Sequence, residues 1–136
     1  MEVEKERYRD FIENINDGCF EVDLMGHIIF VNQASQKRSG YTGEEFKTLT
    51  IEPYTSPETV QNIRKKFTEV YRTGLPSEPF EYEISAKDGE SHWIEMAISL
   101  IKDQAGKPIG FRGVSRDMTE RKKREAETIH LTEQLN

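Results

Sequence analysis

Between Phe80 and Ala86 apolar and polar residues alternate: Phe80, Tyr82, Ile84 and Ala86 against Glu81, Glu83 and Ser85. A period of two places each set on its own face of a β-strand. Lys87-Asp88-Gly89 reads as a turn, after which residues 91–101 carry Ile94, Met96, Ile98 and Leu100 on one face. Asp103-Gln104-Ala105-Gly106 turns the chain again into a last strand over 108–116. Near the start, Cys19–Asp23 alternates with Phe20 and Val22 on one side, Asp23-Leu24-Met25-Gly26 turns, and His27–Val31 returns as the second arm of a hairpin.

Other stretches follow the helical period. Over residues 3–15, Tyr8, Phe11, Ile12 and Ile15 stand at i, i+3, i+4 and i+7, one apolar stripe. Asn32 can cap a short helix that stops at Gly40. Thr42 with Glu45 forms a capping box for the next, with Tyr41 and Phe46 at the staple positions. Ser56-Pro57 opens a longer helix whose Val60, Ile63, Phe67, Val70 and Tyr71 form the buried stripe, ended by Gly74 and Pro76. Asp117, followed three residues on by Glu120, predicts a helix capped by Asp117 and running without Gly or Pro to the end. The order is helix, two strands, short helices, long helix, three strands, helix. That predicts an α+β fold, one antiparallel sheet with helices on one face.

A chain of 136 residues suits one domain with a real core. The pattern divides it into an N-terminal amphipathic helix (1–17), a core (18–118) and a C-terminal helix (119–136). A net charge of -6 argues against nucleic-acid binding, whose affinity comes from phosphate neutralisation. The basic run Arg121-Lys122-Lys123-Arg124 is answered by Glu120, Glu125 and Glu127, as on a solvated helix face. Cys19 is the single cysteine, so no disulfide framework is available. No apolar run approaches the roughly 20 residues of a membrane span, and Met1-Glu2-Val3-Glu4-Lys5-Glu6 is not a signal peptide. The segment is expected to be soluble and to make no membrane contact. It ends in mid-helix at Leu135-Asn136, as a piece of a longer protein would.

Catalytic chemistry finds little support. There is no Gly-rich phosphate loop, and no recognisable context for a Ser-His-acid triad. Glu81 and Glu83 share a strand face but alternate with apolar residues, so they should point outward, as should Arg112 and Arg116. The reading is a solvated ladder of acids opposite bases. His27, His92 and His130 have no metal-ligand spacing. The predicted inward positions are Phe20, Val22, Tyr82, Ile84, Ile94, Met96, Ile98, Phe111 and Ser115, with Val60, Ile63 and Phe67 closing over them. Such a face is either a filled core or a pocket. A pocket of this lining would take an apolar or aromatic ligand, with the Tyr82 and Ser115 hydroxyls as polar contacts.

Several ordered pieces resemble a PAS domain over about residues 7–125. They are Gly18 with the run from Asp23 to Asn32; Ser39-Gly40-Tyr41-Thr42-Gly43-Glu44-Glu45; Lys87-Asp88-Gly89 leading into His92-Trp93-Ile94-Glu95; and the run from Gly110 to Lys122. Within the last, Asp117-Met118-Thr119 resembles the family's Asp-x-Thr signature. The resemblance implies a sheet ordered 2-1-5-4-3 and a sensory or dimerising module of a signalling protein, such as a histidine kinase or diguanylate cyclase. Family ligands, where present, lie between the sheet and the helical side. Haem-binding relatives supply a histidine from the long helix, and residues 57–73 contain none. Light-sensing flavin relatives carry a cysteine in an Asn-Cys-Arg motif, and residues 48–54 contain none. Haem and covalent-adduct flavin are therefore disfavoured, and Ile84, Ile94 and Ser115 stand where flavin relatives place amides. The cofactor stays open.

The same resemblance makes Asp117, Met118, Thr119 and Glu120 the signal-coupling joint. From Thr119 to Asn136 is about 27 Å of helix, with Ala126, Ile129, Leu131 and Leu135 its few apolar residues. It should project from the domain, pair with a second copy with help from the N-terminal stripe, and lead to an effector beyond Asn136. The expected setting is bacterial and cytoplasmic. Alternatives are a ligand-free dimerisation or spacer domain and, from another class, a small-cavity enzyme.

Overall fold

A computed structural model of the chain describes residues 3, 6, 7, 10, 11 and 15–135. Strand β1 (Gly18–Asp23) and β2 (Ile28–Val31) form the hairpin. Helices α1 (Gln33–Ser39) and α2 (Gly43–Phe46), a 3-10 turn (Glu52–Tyr54) and α3 (Pro57–Thr73) follow. Strands β3 (Phe80–Ser85), β4 (Ser91–Lys102) and β5 (Pro108–Asp117) come next, then α4 (Thr119–Leu135). The five strands make one sheet in the order β2-β1-β5-β4-β3, every neighbouring pair antiparallel. Both fold class and strand order match the sequence reading. The 3-10 turn was not foreseen.

Period-two alternation builds the inner face. Val22, Tyr82, Ile94, Met96, Ile98 and Phe111 are buried in one cluster with Ile63 and Val70 of α3. Ile98, at 1% exposure, marks the centre. Phe67 of α3 meets Phe111 edge to face, with ring centroids 5.0 Å apart, a pairing worth about 0.5–1.5 kcal/mol beyond area burial. Gly113 shows why that β5 position lacks a side chain. A Cβ there would stand 2.1 Å from Cζ of Phe20, whose ring lies over it.

The caps come largely as the sequence implies. The Thr42–Glu45 capping box is complete, and Tyr41 sits edge-on to Phe46 at 6.1 Å. Ser56 caps α3, with Pro57 in its first turn. Asn32 does more than cap α1. It is fully buried, and its Oδ1 accepts from the Ser35 amide (3.2 Å) and the Cys19 amide (2.9 Å). Its Nδ2 donates to the Asp17 carbonyl at 3.0 Å. One amide side chain thus ties the start of α1 to the start of β1. β2 begins one residue later than expected, because Asp23 Oδ1 takes the amides of both Met25 and His27.

Two expectations need correction. The outer-face ladder does not set acids opposite bases throughout. Arg112 meets Glu21 at 2.9 Å and Arg116 meets Asp17 at 3.3 Å, but register puts Glu95 directly opposite Glu81. Glu81 instead pairs with Lys122 of α4 at 2.8 Å. Second, Asp117 does not stand at the N-cap position of α4, although its carboxylate accepts the Thr119 amide of the first turn. It is still in β5, opposite Ile94. The Met118 amide extends the ladder by donating to the Trp93 carbonyl (2.7 Å), and the Met118 carbonyl accepts from Lys122 as the helix begins. The predicted box is out of register by one residue, and Glu120 is an exposed first-turn acid.

Val3, Glu6, Arg7, Asp10 and Phe11 are helical and exposed. Of the predicted N-terminal stripe, Phe11 is 65% exposed, and Tyr8 and Ile12 lie outside the described residues. At the other end Ile129, Leu131 and Leu135 of α4 are exposed, as expected of a projecting helix.

Replacing Asn32 by Ala removes an N-cap and leaves a buried N–H and C=O without their partner. Equilibrium urea denaturation should show a loss of about 2–4 kcal/mol with an unchanged denaturant slope.

Candidate functional site

A cavity of about 300 Å³ lies between the inner face of the sheet and the segment carrying α1, α2 and the 3-10 turn. Phe20, Tyr82, Ile84, Ile94, Met96 and Ser115 line it from the sheet, and Ser35, Arg38, Tyr41, Phe46, Ile51 and Tyr54 are among its lining on the helical side. The twelve pocket candidates from the sequence therefore divide in two. The six sheet residues just named line the cavity. Val22, Val60, Ile63, Phe67, Ile98 and Phe111 do not line it. All but Val60 belong to the hydrophobic core cluster or pack against it, and Val60 is buried on α3. The reason is packing: α3 is long enough to lay a stripe against the sheet, with Ile63, Phe67 and Val70 on the core cluster. The cavity opens where short, capped elements arch over the sheet instead.

That arch is held by specific contacts. Gln36 of α1 accepts the Gly43 amide through Oε1 (2.9 Å) and donates to the Val31 carbonyl through Nε2 (3.2 Å). Tyr41 stands edge-on to Tyr54 at 5.7 Å. Lys87, in the β3–β4 turn, reaches Glu45 at 2.9 Å and lies over the Tyr41 ring. Thr55 donates to the Glu83 carbonyl at 2.6 Å.

The polar part of the lining centres on Arg38. Its Nη2 donates to Ser115 Oγ at 2.6 Å and its Nη1 to the Ser115 carbonyl at 3.4 Å. Burial pulls the guanidinium pKa down, while Asp117, Tyr82 and Asp17 act at longer range to hold it up. Gly18 leaves room for this contact, since a Cβ there would come within 2.5 Å of Ser115 Oγ and 2.7 Å of Arg38 Nη2. Burial pushes the Tyr82 phenol up to about 12, partly offset by Arg38. Sequence reading passed over Arg38, because basic residues in the last turn of a helix are ordinary. The available signal was its spacing: Arg38 is three residues beyond buried Ser35, on the same helix face.

Next to the cavity lies the junction of β5 and α4. His92 lines the cavity, and its Nδ1 is 2.8 Å from Asp117 Oδ2. Asp117 Oδ1 accepts from both the amide and the hydroxyl of Thr119. Thr119 Oγ1 in turn accepts the Trp93 amide at 3.0 Å. Met118 is buried. Lys122 lies over the Trp93 ring at 5.4 Å. Asp117, Met118 and Thr119 are thus brought together with His92 and Trp93, at the start of β4, while Glu120 stays apart on the surface. The sequence showed only that His92 lacks metal-ligand spacing, and its place here was not legible because its partner is 25 residues away.

Among the described residues no group of three or more His, Cys, Asp and Glu could hold a metal ion. No helix among them is long and apolar enough to cross a membrane. Cys19 is buried, and burial raises its pKa.

Burial raises the Asp117 carboxyl, but hydrogen bonds from Thr119 and His92 outweigh it and leave the pKa below the ordinary value. A depressed carboxyl stabilises the fold above its unfolded pKa of about 3.9 and loses that contribution as pH falls through the folded value. An NMR titration should place the Asp117 midpoint below about 3.9, with amide protection at Met118–Lys122, relative to the unfolded chain at the same pH, falling as pH drops through that midpoint.

Comparison with known proteins agrees with this architecture. A family model described as the PAS fold matches residues 12–123. The chain is 25% identical over 128 residues to the sensor histidine kinase TmoS of Ectopseudomonas mendocina, covering 94% of this chain and 13% of the kinase. It is 24% identical over 128 residues to the probable diguanylate cyclase DgcE of Escherichia coli, covering 94% of this chain and 12% of the cyclase. The chain thus spans only about an eighth of either relative. Among solved structures, a PAS domain from Colwellia psychrerythraea superposes with a TM-score of 0.75 at 24% identity, covering 87% of this chain and 98% of that domain. With the sheet order, the family match and the fold likeness in agreement, the chain belongs to the PAS-fold family.

Proposed function

We propose that this chain is the sensory module of a larger signalling protein, with no catalytic step of its own. It responds to a small ligand in the cavity and controls an effector beyond Asn136 through α4. The observation that carries this reading is the sharing of residues between cavity and junction. Ser115 lines the cavity and is two residues from Asp117 on β5. His92 lines the same cavity and bonds Asp117 directly. A change in the lining therefore has a short, covalent and hydrogen-bonded route to the start of α4. The effector is a histidine kinase or a diguanylate cyclase; relatives of both kinds carry a matching segment. The void of about 300 Å³ favours a ligand over a filled spacer. We place the module in the cytoplasm, where such effectors find their substrates.

The two-state model needs a ligand with different affinities for the two states. In the full-length parent, Asp117→Ala should abolish the roughly 5–150-fold response expected of a coupling of about 1–3 kcal/mol. The cavity, judged by ligand affinity, should stay intact. Normal ligand-dependent output from the variant would sink the role given to the junction.

We also assign α4 to a homodimer. Its Ile129, Leu131 and Leu135 are exposed and no residue of α4 is buried; Leu131 and Leu135 stand four apart on one face, which a second copy of the helix, aided by the N-terminal segment, would cover. Light scattering should give a dimer for residues 1–136 and a monomer when residues 119–136 are removed. A monomer in both cases would remove this assignment.

A further inference from the structure

We propose that the cavity binds an aromatic monocarboxylate, with Arg38 as the anchoring cation. This rests on the reading of the cavity as a ligand site and adds the chemical class of ligand.

Charge is the first argument. Among the described residues that line the cavity there is no Asp or Glu, and Arg38 is the only permanent cation. Arg38 is half-buried. Its two hydrogen bonds both go to Ser115, a neutral residue. The guanidinium carries five N–H donors in a planar fork, so three remain. No described carboxylate forms an ion pair with it, and Asp117 and Asp17 reach it only through longer-range attraction. A partly desolvated cation without a paired anion carries a free-energy penalty that a ligand carboxylate would relieve. One fork matches one carboxylate, which argues for a monoacid.

Shape is the second argument. Phe20, Tyr41, Phe46, Tyr54 and Tyr82 supply aromatic surface around the space, and the rest of the wall is mostly aliphatic, with Ser35, Ser39, Thr50, Ser85 and His92 as further polar groups. A volume of about 300 Å³ is at the small end for ligand pockets, which suits one or two rings. The sequence alone pointed to an apolar or aromatic ligand held by hydroxyls. Arg38 changes the polar end from neutral to anionic. Because the same guanidinium holds Ser115, a carboxylate that draws it away would release β5 two residues before Asp117.

Benzoate, phenylacetate and indole-3-acetate, each paired with its uncharged amide, would be titrated into the protein by calorimetry and NMR. At least one acid should bind, with its amide weaker by about tenfold or more, as expected for a charge-assisted pair. The side-chain Nε–H resonance of Arg38 should move with the acid and not with the amide. Arg38→Gln should remove the preference for the acid, and Arg38→Lys should keep part of it. If Arg38→Gln does not fold, the wild-type acid-to-amide ratio and the Arg38 resonance decide the matter. Equal binding of acid and amide, or a preference that survives Arg38→Gln, overturns the anchoring role and leaves the cavity as a neutral ligand site. Binding of none of the six compounds overturns this proposal and leaves the ligand reading beneath it to the test of ligand-dependent output in the full-length parent.

Discussion

β5 is bonded along both edges, to β1 on one side and β4 on the other, and this central place constrains the rest of the molecule. A strand with two partners has no free register. A slip of one residue would turn Phe111 and Ser115 outward and Arg112 and Arg116 inward. Because β5 is also the last strand, the chain must leave the sheet from its middle. It does so at Asp117, and α4 therefore starts against β4, with Lys122 over Trp93 and paired to Glu81. The helix that leaves the domain is attached to its most constrained strand.

The inner face of that sheet is used in two ways. Under α3 it is a packed core, with Phe67 on Phe111 and Ile98 at the centre. Under α1, α2 and the 3-10 turn it is a wall of a cavity. Helix length separates the two. The 17 residues of α3 carry a continuous stripe, whereas the 7 and 4 residues of α1 and α2 cannot. The short elements depend instead on caps, on Gln36 between them and on edge-to-face aromatic rings. These contacts hold their shape without filling the space below. A segment stabilised by local bonds more than by buried area is also the one that can move at the smallest free-energy cost.

Polar groups are concentrated where the two regions and the outgoing helix meet. Arg38 bonds Ser115 at the cavity, and His92, Asp117 and Thr119 form a run of short contacts to the first turn of α4; the β5 backbone between Ser115 and Asp117 joins the two. Ser115 belongs to the cavity and Asp117 to the junction, yet they are neighbours on one face of one strand. Coupling between binding and output then needs no long pathway. It needs two arrangements of this cluster that a ligand distinguishes.

Local rules determined a great deal here. Alternation at Phe80–Ala86 and Ile94–Leu100, the boxes and caps at Asn32, Thr42 and Ser56, and the stripe of α3 apart from Tyr71, which is exposed, were legible because each depends on residues close in sequence. The sheet order came with a family resemblance carried by ordered motifs. Half of the pocket candidates line the cavity for the same reason: alternation says which way a strand residue faces. It does not say what lies opposite, so Val22 and Phe111 were grouped with Ile84 and Met96 although α3 packs over one part of the sheet and not the other. Glu81 found Lys122, Asp117 found His92, and Arg38 found Ser115 across separations of 25 to 77 residues. Pairings at that distance depend on register and on where helices pack, and no local pattern encodes them. The sequence by itself determined the elements and their faces. Tertiary structure decided where space was left, and which charge was left facing it.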